Sequence, residues 1–200
     1  MEGGIRSWEG LVAGGEPEAG MAYFPDTAAP GELIKLAWVL EEGSRKFYSG
    51  LASLLGDDEA VSIFNDLMVA EERHKASLLN LNREFAGIEA DKKFSHLIPS
   101  DEAGDVMEGG MRVSEALRWA QEKSLHQTLE LTMSLETNAY DLYIKMERRA
   151  DHEKSKRVFT LLAKEEKLHL ERLTKLFERK MLNPTPLNPD IIVHNTAGNQ

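Results

Sequence analysis

Residues 41–74 read EEGSRKFYSGLASLLGDDEAVSIFNDLMVAEERH, and residues 136–169 read ETNAYDLYIKMERRADHEKSKRVFTLLAKEEKLH. Each segment opens with Glu, carries Tyr seven residues later and closes with Glu-x-x-His. One offset relates them. Glu41 to Glu136, Tyr48 to Tyr143, Glu71 to Glu166 and His74 to His169 are each 95 residues apart. Apolar positions obey the same shift, Phe64 with Phe159, Leu67 with Leu162, Leu78 with Leu173 and Leu81 with Leu176. The pattern predicts an internal repeat of two helical hairpins.

Within each copy the spacing decides which groups share a face. Seven residues are two helical turns, so each Tyr lies on the face of its Glu. Glu-x-x-His puts a carboxylate and an imidazole on adjacent turns of one face. Glu41 and Glu71 each lie 15 residues from Gly56, about 22 Å along a helix, and so stand level with each other. Glu136 and Glu166 lie 15 residues on either side of Asp151. Their neighbours on the helix face, Ala37, Leu67, Leu129 and Leu162, are apolar, so the carboxylates are expected to face the core.

Four Glu and two His inside an apolar bundle need a counter-charge, because a buried unpaired carboxylate is strongly unfavourable. No Lys or Arg recurs at the matching inward positions of both hairpins. Two divalent cations supply the charge. A Glu from each of two helices plus Glu-x-x-His from the other two is the dinuclear carboxylate arrangement of helical bundles. Carboxylate and imidazole suit iron or manganese, and zinc also fits. The expected metal ligands are therefore Glu41, Glu71, His74, Glu136, Glu166 and His169. A single Glu-x-x-His on a charged helix is usually a solvated face; two copies in one register, at matched heights, carry the metal reading. Tyr48 and Tyr143 are expected to support catalysis by donating a hydrogen bond to a ligating Glu. His96, His126, His152 and His194 have no partner at repeat spacing and are expected at the surface or in loops.

Outward from the repeat, helical periodicity predicts helices near residues 32–55, 58–86, 113–150 and 153–180. Asp57 or Asp58 would cap the second, and Ser114 the third. Residues 87–112 hold Gly, Pro, Asp and Ser with little periodicity, and a bundle crossover accounts for so long a connection. The expected fold is all-α, a four-helix bundle over 32–182. It is flanked by an N-terminal arm (1–31) and a C-terminal tail (183–200) that contribute little to its core.

Composition narrows the function classes. With 200 residues the chain can bury a core without covalent staples, and the lack of cysteine excludes disulfides, thiolate metal sites and thiol catalysis. A net charge of −10 argues against nucleic acid as a partner. No apolar run reaches the length of a membrane helix, and residues 1–20 lack a signal-peptide layout, so the cytoplasm is the expected compartment.

The paired motifs resemble the rubrerythrin branch of the ferritin-like superfamily, over residues 32–180. The resemblance implies a ferritin-like bundle with its crossover between the second and third helices. It implies a di-iron site that reduces hydrogen peroxide or dioxygen, and a homodimer or higher homo-oligomer. Carried over, Glu41 and Glu136 each ligate mainly one metal, Glu71 and Glu166 bridge, and His74 and His169 each complete one shell. Two features depart from the family pattern. Full-length rubrerythrins carry a four-cysteine rubredoxin module, absent here, so electrons are expected from a separate donor protein. Peroxide-reducing members also have an extra Glu three residues after the third-helix ligand; here that position is Ala139, and its repeat mate is Ser44. The resulting set resembles the symmetric four-Glu, two-His site of bacterioferritin. It leaves a ferroxidase or iron-handling role, or a non-enzymatic metal-binding bundle, as alternatives. Residues 2–17, EGGIRSWEGLVAGGEP, resemble the end of a rhodanese domain. They suggest the C-terminal part of a rhodanese–rubrerythrin fusion.

Overall fold

The structure, a computed structural model, describes residues 30–86 and 105–182. The rhodanese-like segment, the C-terminal tail, His96 and His194 lie outside the described residues. Those described form five helices and no strand: α1 (Pro30–Leu54), α2 (Asp58–Ala86), α3 (Val113–Ala120), α4 (Leu125–Arg149) and α5 (Glu153–Leu182). A short 3-10 turn, Glu108–Gly110, precedes α3. No helix among them is long and apolar enough to cross a membrane.

Three expectations need correction. The first helix begins at Pro30, two residues before the start expected at residue 32. The helix expected over 113–150 is two helices, broken between Ala120 and Leu125. The break is local chemistry. Ser124 and Gln127 form a capping box, the Ser124 hydroxyl accepting from the Gln127 N–H at 3.3 Å while the Gln127 amide oxygen accepts from the Ser124 N–H at 3.1 Å. Ser114 does not cap α3; it sits in its first turn, where the Asp105 carboxylate accepts from its N–H (2.9 Å) and its hydroxyl (3.0 Å). A full charge placed over the free N–H groups of a helix start is a stronger acceptor than a serine hydroxyl. At α2, Asp57 is the capping residue, its carboxylate accepting from the Ala60 N–H at 3.0 Å.

Ion pairs and hydrogen bonds define how the helices run. Lys180 meets Asp57 at 2.8 Å and Arg179 meets Glu59 at 2.6 Å, while Lys154 meets Glu84 at 2.8 Å, so α5 runs antiparallel to α2. Tyr48 of α1 donates to Glu136 of α4, and Tyr143 of α4 donates to Glu41 of α1, so these two are antiparallel as well. Each hairpin is antiparallel internally, which leaves α2 and α4 parallel. The chain leaving α2 must therefore return the length of the bundle before α4 can start. For the 29 residues of α2 that is about 40 Å at 1.5 Å per residue. The long crossover is a consequence of this topology.

The end of the crossover lies on α1. A Cβ built on Gly43 would stand 2.2 Å from the Val106 carbonyl oxygen and 2.8 Å from the Met107 Cα. One built on Gly50 would stand 2.6 Å from the Leu117 side chain. Inside, the core divides into two apolar clusters. One gathers Phe47, Leu51, Phe64, Leu67, Leu129 and Leu173; the other gathers Ile34, Leu40, Leu78, Leu142, Phe159 and Leu162. Between them lies a polar layer.

Gly43→Ala is expected to destabilise the protein despite alanine's better helix propensity of up to ~1 kcal/mol. It would force the crossover backbone outward at an overpacking cost of about 1–3 kcal/mol. Gly50→Ala should cost less, because a leucine side chain can rotate away. Urea denaturation midpoints compare the three proteins directly; a Gly43→Ala midpoint at or above wild type would show that the close approach is wrong.

Candidate metal centre

The six expected ligands meet in the polar layer. Glu41, Glu71 and Glu166 are completely buried, and Glu136, His74 and His169 nearly so. Their ligand atoms fall into two groups, each lying within 4.8 Å of one another: Glu41, Glu71, His74 and Glu166 in one, Glu71, Glu136, Glu166 and His169 in the other. The groups share Glu71 and Glu166.

The histidine contacts show how the sharing works. His74 Nδ1 lies 3.1 Å from Glu41, 3.0 Å from Glu71 Oε2 and 3.2 Å from Glu166 Oε1. His169 Nδ1 lies 3.2 Å from Glu166 Oε2, 3.5 Å from Glu136 and 3.7 Å from Glu71 Oε1. Glu71 and Glu166 thus offer one oxygen to each half, as bridging carboxylates do. The imidazoles stack, with ring centroids 5.4 Å apart and planes 18° from parallel.

Both tyrosines donate to a carboxylate of the other hairpin, Tyr48 to Glu136 Oε1 and Tyr143 to Glu41 Oε1. Their rings are held by the repeat-matched phenylalanines, Tyr48 stacked on Phe64 at 6.1 Å and Tyr143 on Phe159 at 6.2 Å. Burial and the adjacent carboxylates, Glu136 for Tyr48 and Glu108 and Glu41 for Tyr143, push both phenols well above their ordinary range. They remain protonated donors.

The layer fits a pair of cations. Glu71 Oε1, Glu136 Oε2 and Glu166 Oε1 are buried and accept no hydrogen bond. Among the described residues Lys75 is the one buried lysine or arginine, and it is committed to Glu42 and Glu72. Burial and the charges of Glu41 and Glu166 raise the Glu71 carboxyl well above the usual range. Burial and Glu166 push Glu136 up to about 8. Burial would lower the histidines, but Glu136 and Glu166 outweigh it and raise His169 to about 10, and Glu41 and Glu71 raise His74. Burial opposes ionisation of Glu166 too, yet His169 and His74 hold it below its ordinary value. In a metal-free layer, protons do what metal ions would do.

Two acidic residues join the centre without having been legible as part of it. Glu165, half-buried, has a carboxylate oxygen grouped with His74 and His169. Glu108, in the 3-10 turn, is 3% exposed and within electrostatic reach of Glu41, Glu166 and Glu136. Small residues in the interior of α1, Gly43, Ser44 and Gly50, against Asn138, Ala139 and Lys145 in the second copy, are the signal that something packs there. His126 packs against Phe177 (4.5 Å between ring centroids) and His152 is exposed, both away from the layer.

Comparison with protein-family models finds the rubrerythrin family, matched over residues 32–177 and again over 127–193. No curated protein and no solved structure matches the chain.

The metal-free protein is expected to lose stability as pH rises from 5 to 8. Glu136, ordinarily near 4.5, is raised to about 8, and His169, ordinarily near 6.5, to about 10. Groups with raised folded-state values stabilise fully below their ordinary values, and that contribution is lost as pH climbs toward the folded ones. Glu42, Asp57 and Glu59 are lowered and stay ionised across this window, so they add no slope. Bound cations favour the ionised layer and should remove the loss. Thermal melts of chelator-treated protein, with and without anaerobic Fe(II), test this; a metal-free melting temperature flat or rising from pH 5 to 8 would contradict it.

Proposed function

The chain belongs to the rubrerythrin family, and on that footing we propose that it is a non-haem di-iron oxidoreductase reducing hydrogen peroxide or dioxygen. The observation that carries the proposal is the pair of overlapping four-residue groups sharing Glu71 and Glu166. With cations bound, two neighbouring Fe(II) ions supply the two electrons that one O–O bond requires. The protein's share is positional. Glu71 and Glu166 present one oxygen to each half, and would hold both cations between them. Tyr48 and Tyr143 fix Glu136 and Glu41 and hold a phenolic proton beside the layer. Phe64, Leu67, Phe159 and Leu162, all buried, exclude bulk water above and below it. Electrons come from a donor outside the bundle, whose own residues include no cysteine to hold an iron–thiolate centre. Residues 2–17 further support reading the chain as part of a rhodanese fusion.

One observation favours a second reading, iron oxidation and hand-over. Ala139 is buried where a further helical carboxylate would stand in peroxide-reducing relatives, and the helices alone supply a symmetric set.

Anaerobic Fe(II) titration is expected to saturate at two ions per chain, and Glu71→Ala to lower that number. Tyr143→Phe should weaken iron affinity by about tenfold or more. Stopped-flow mixing of the loaded protein with peroxide and with dioxygen should show rapid oxidation by at least one of the two. Iron retained far above two per chain would favour the hand-over reading. If Fe(II) shifts the melting temperatures of wild type and Glu71→Ala equally, Glu71 is not a ligand and the proposal fails.

A further inference from the structure

Glu108 is a carboxylate that a packed protein would not bury without a use. It comes from the crossover, and its surroundings hold it in place. Val106 and Arg112 pair as an antiparallel bridge, the Met107 N–H donates to the Met111 carbonyl at 3.0 Å, and the Val113 N–H donates to the Asp105 carbonyl at 2.7 Å. Gly110, at φ 77°, supplies the left-handed residue that turns the loop, and Met107 and Met111 are buried as its anchors. The loop backbone lies directly against Gly43, and the Ser44 hydroxyl donates to Glu108 Oε2 at 2.9 Å.

This apparatus turns a charged side chain inward. Glu108 Oε1 is buried and has no hydrogen-bond partner. The charges acting most strongly on it are all negative, first Glu41, then Glu166 and Glu136. Ser44 and the neighbouring Tyr143 hydroxyl ease only part of this, and a buried carboxylate with one oxygen unpartnered among other carboxylates calls for a ligand that completes it. The position is also one-sided. The charge acting most strongly on it is that of Glu41, and Tyr143, the donor to Glu41, feels Glu108 as its strongest neighbouring charge. The turn packs against both α1 and α4, but its carboxylate is held from α1 alone among the described residues, because Ser44 offers a hydroxyl where the matching position on α4 is Ala139.

We propose that Glu108 is a fifth carboxylate of the metal centre, delivered by the crossover to the half bounded by Glu41 and His74, and that it makes the two metal positions unequal. The inference rests on the di-metal reading and adds to it a residue outside the four-helix set. Ser44 holds one oxygen, and the other would be available to a cation in that half.

The test is anaerobic Fe(II) binding by chelator competition on the full chain, resolving the two equivalents. Wild type should show two ions of unequal affinity. Glu108→Gln keeps an oxygen for Ser44 but removes the charge, and should weaken one equivalent at least about tenfold while leaving the other in place. Glu108→Asp, which keeps the charge but withdraws it by one methylene, should weaken the same equivalent and serves if the Gln variant folds poorly. If wild type binds two ions and both variants bind them with wild-type affinities, Glu108 is a structural strut and the inference falls alone. Weakening of both equivalents alike would also overturn it, since the role is one-sided. If wild type retains no Fe(II), the di-metal reading falls and the inference with it.

Discussion

Four carboxylates and two imidazoles on one level inside an apolar bundle constitute the constraint to which the rest of the structure answers. Ionised and uncompensated, such a layer would cost several kcal/mol per buried charge. The core on either side holds it together all the same, because a fully buried leucine or phenylalanine contributes about 1.5–3 kcal/mol and each flanking cluster contains many. Lys75, the one buried lysine or arginine among the described residues, is turned to Glu42 and Glu72. The charge balance is thereby left to protons on Glu71, Glu136 and the histidines, or to cations.

The two hairpins are locked together at the same level. Tyr48 and Tyr143 each reach across to the other hairpin's single Glu, so neither hairpin holds that carboxylate by itself. Glu71 and Glu166 also lie within reach of both histidines. Polar bonds of this kind depend on separation and direction, and they specify one register of α1 against α4, whereas apolar packing would tolerate several. At the ends of the bundle the Asp57–Lys180, Glu59–Arg179 and Glu84–Lys154 pairs set α5 against α2 in the same sense. These outer pairs range from half-buried (Asp57–Lys180) to exposed, and pairs so open to solvent contribute little energy.

The near-twofold arrangement is broken at the crossover. Because α2 and α4 run parallel, the chain must traverse the bundle once, and the described end of that connection meets α1 where Gly43 and Gly50 leave room for it. The Glu108–Gly110 turn also packs against α4, but there the second hairpin has Asn138 and Lys145 where α1 has glycine. An internal repeat thus produces two similar halves, and the connection between them makes the halves different.

The sequence by itself determined the repeat, the helical hairpins and the convergence of Glu41, Glu71, His74, Glu136, Glu166 and His169. All of these follow from fixed offsets along the chain, and helix geometry converts an offset directly into a face and a height. Which hairpin each tyrosine serves was not legible, since a face does not name the partner opposite it. The break at Ser124 was written in Ser-x-x-Gln but was masked by apolar periodicity that continues through it. Glu108 and Glu165 lay beyond reach for different reasons. Glu165 stands next to a ligand and off its face, so only the packing of α5 against α2 brings it beside both histidines. Glu108 sits in a segment without periodicity, where no offset predicts a position. Only the close approach of the crossover backbone to Gly43, a contact between residues more than sixty apart in the chain, decides that its carboxylate lies inside the bundle.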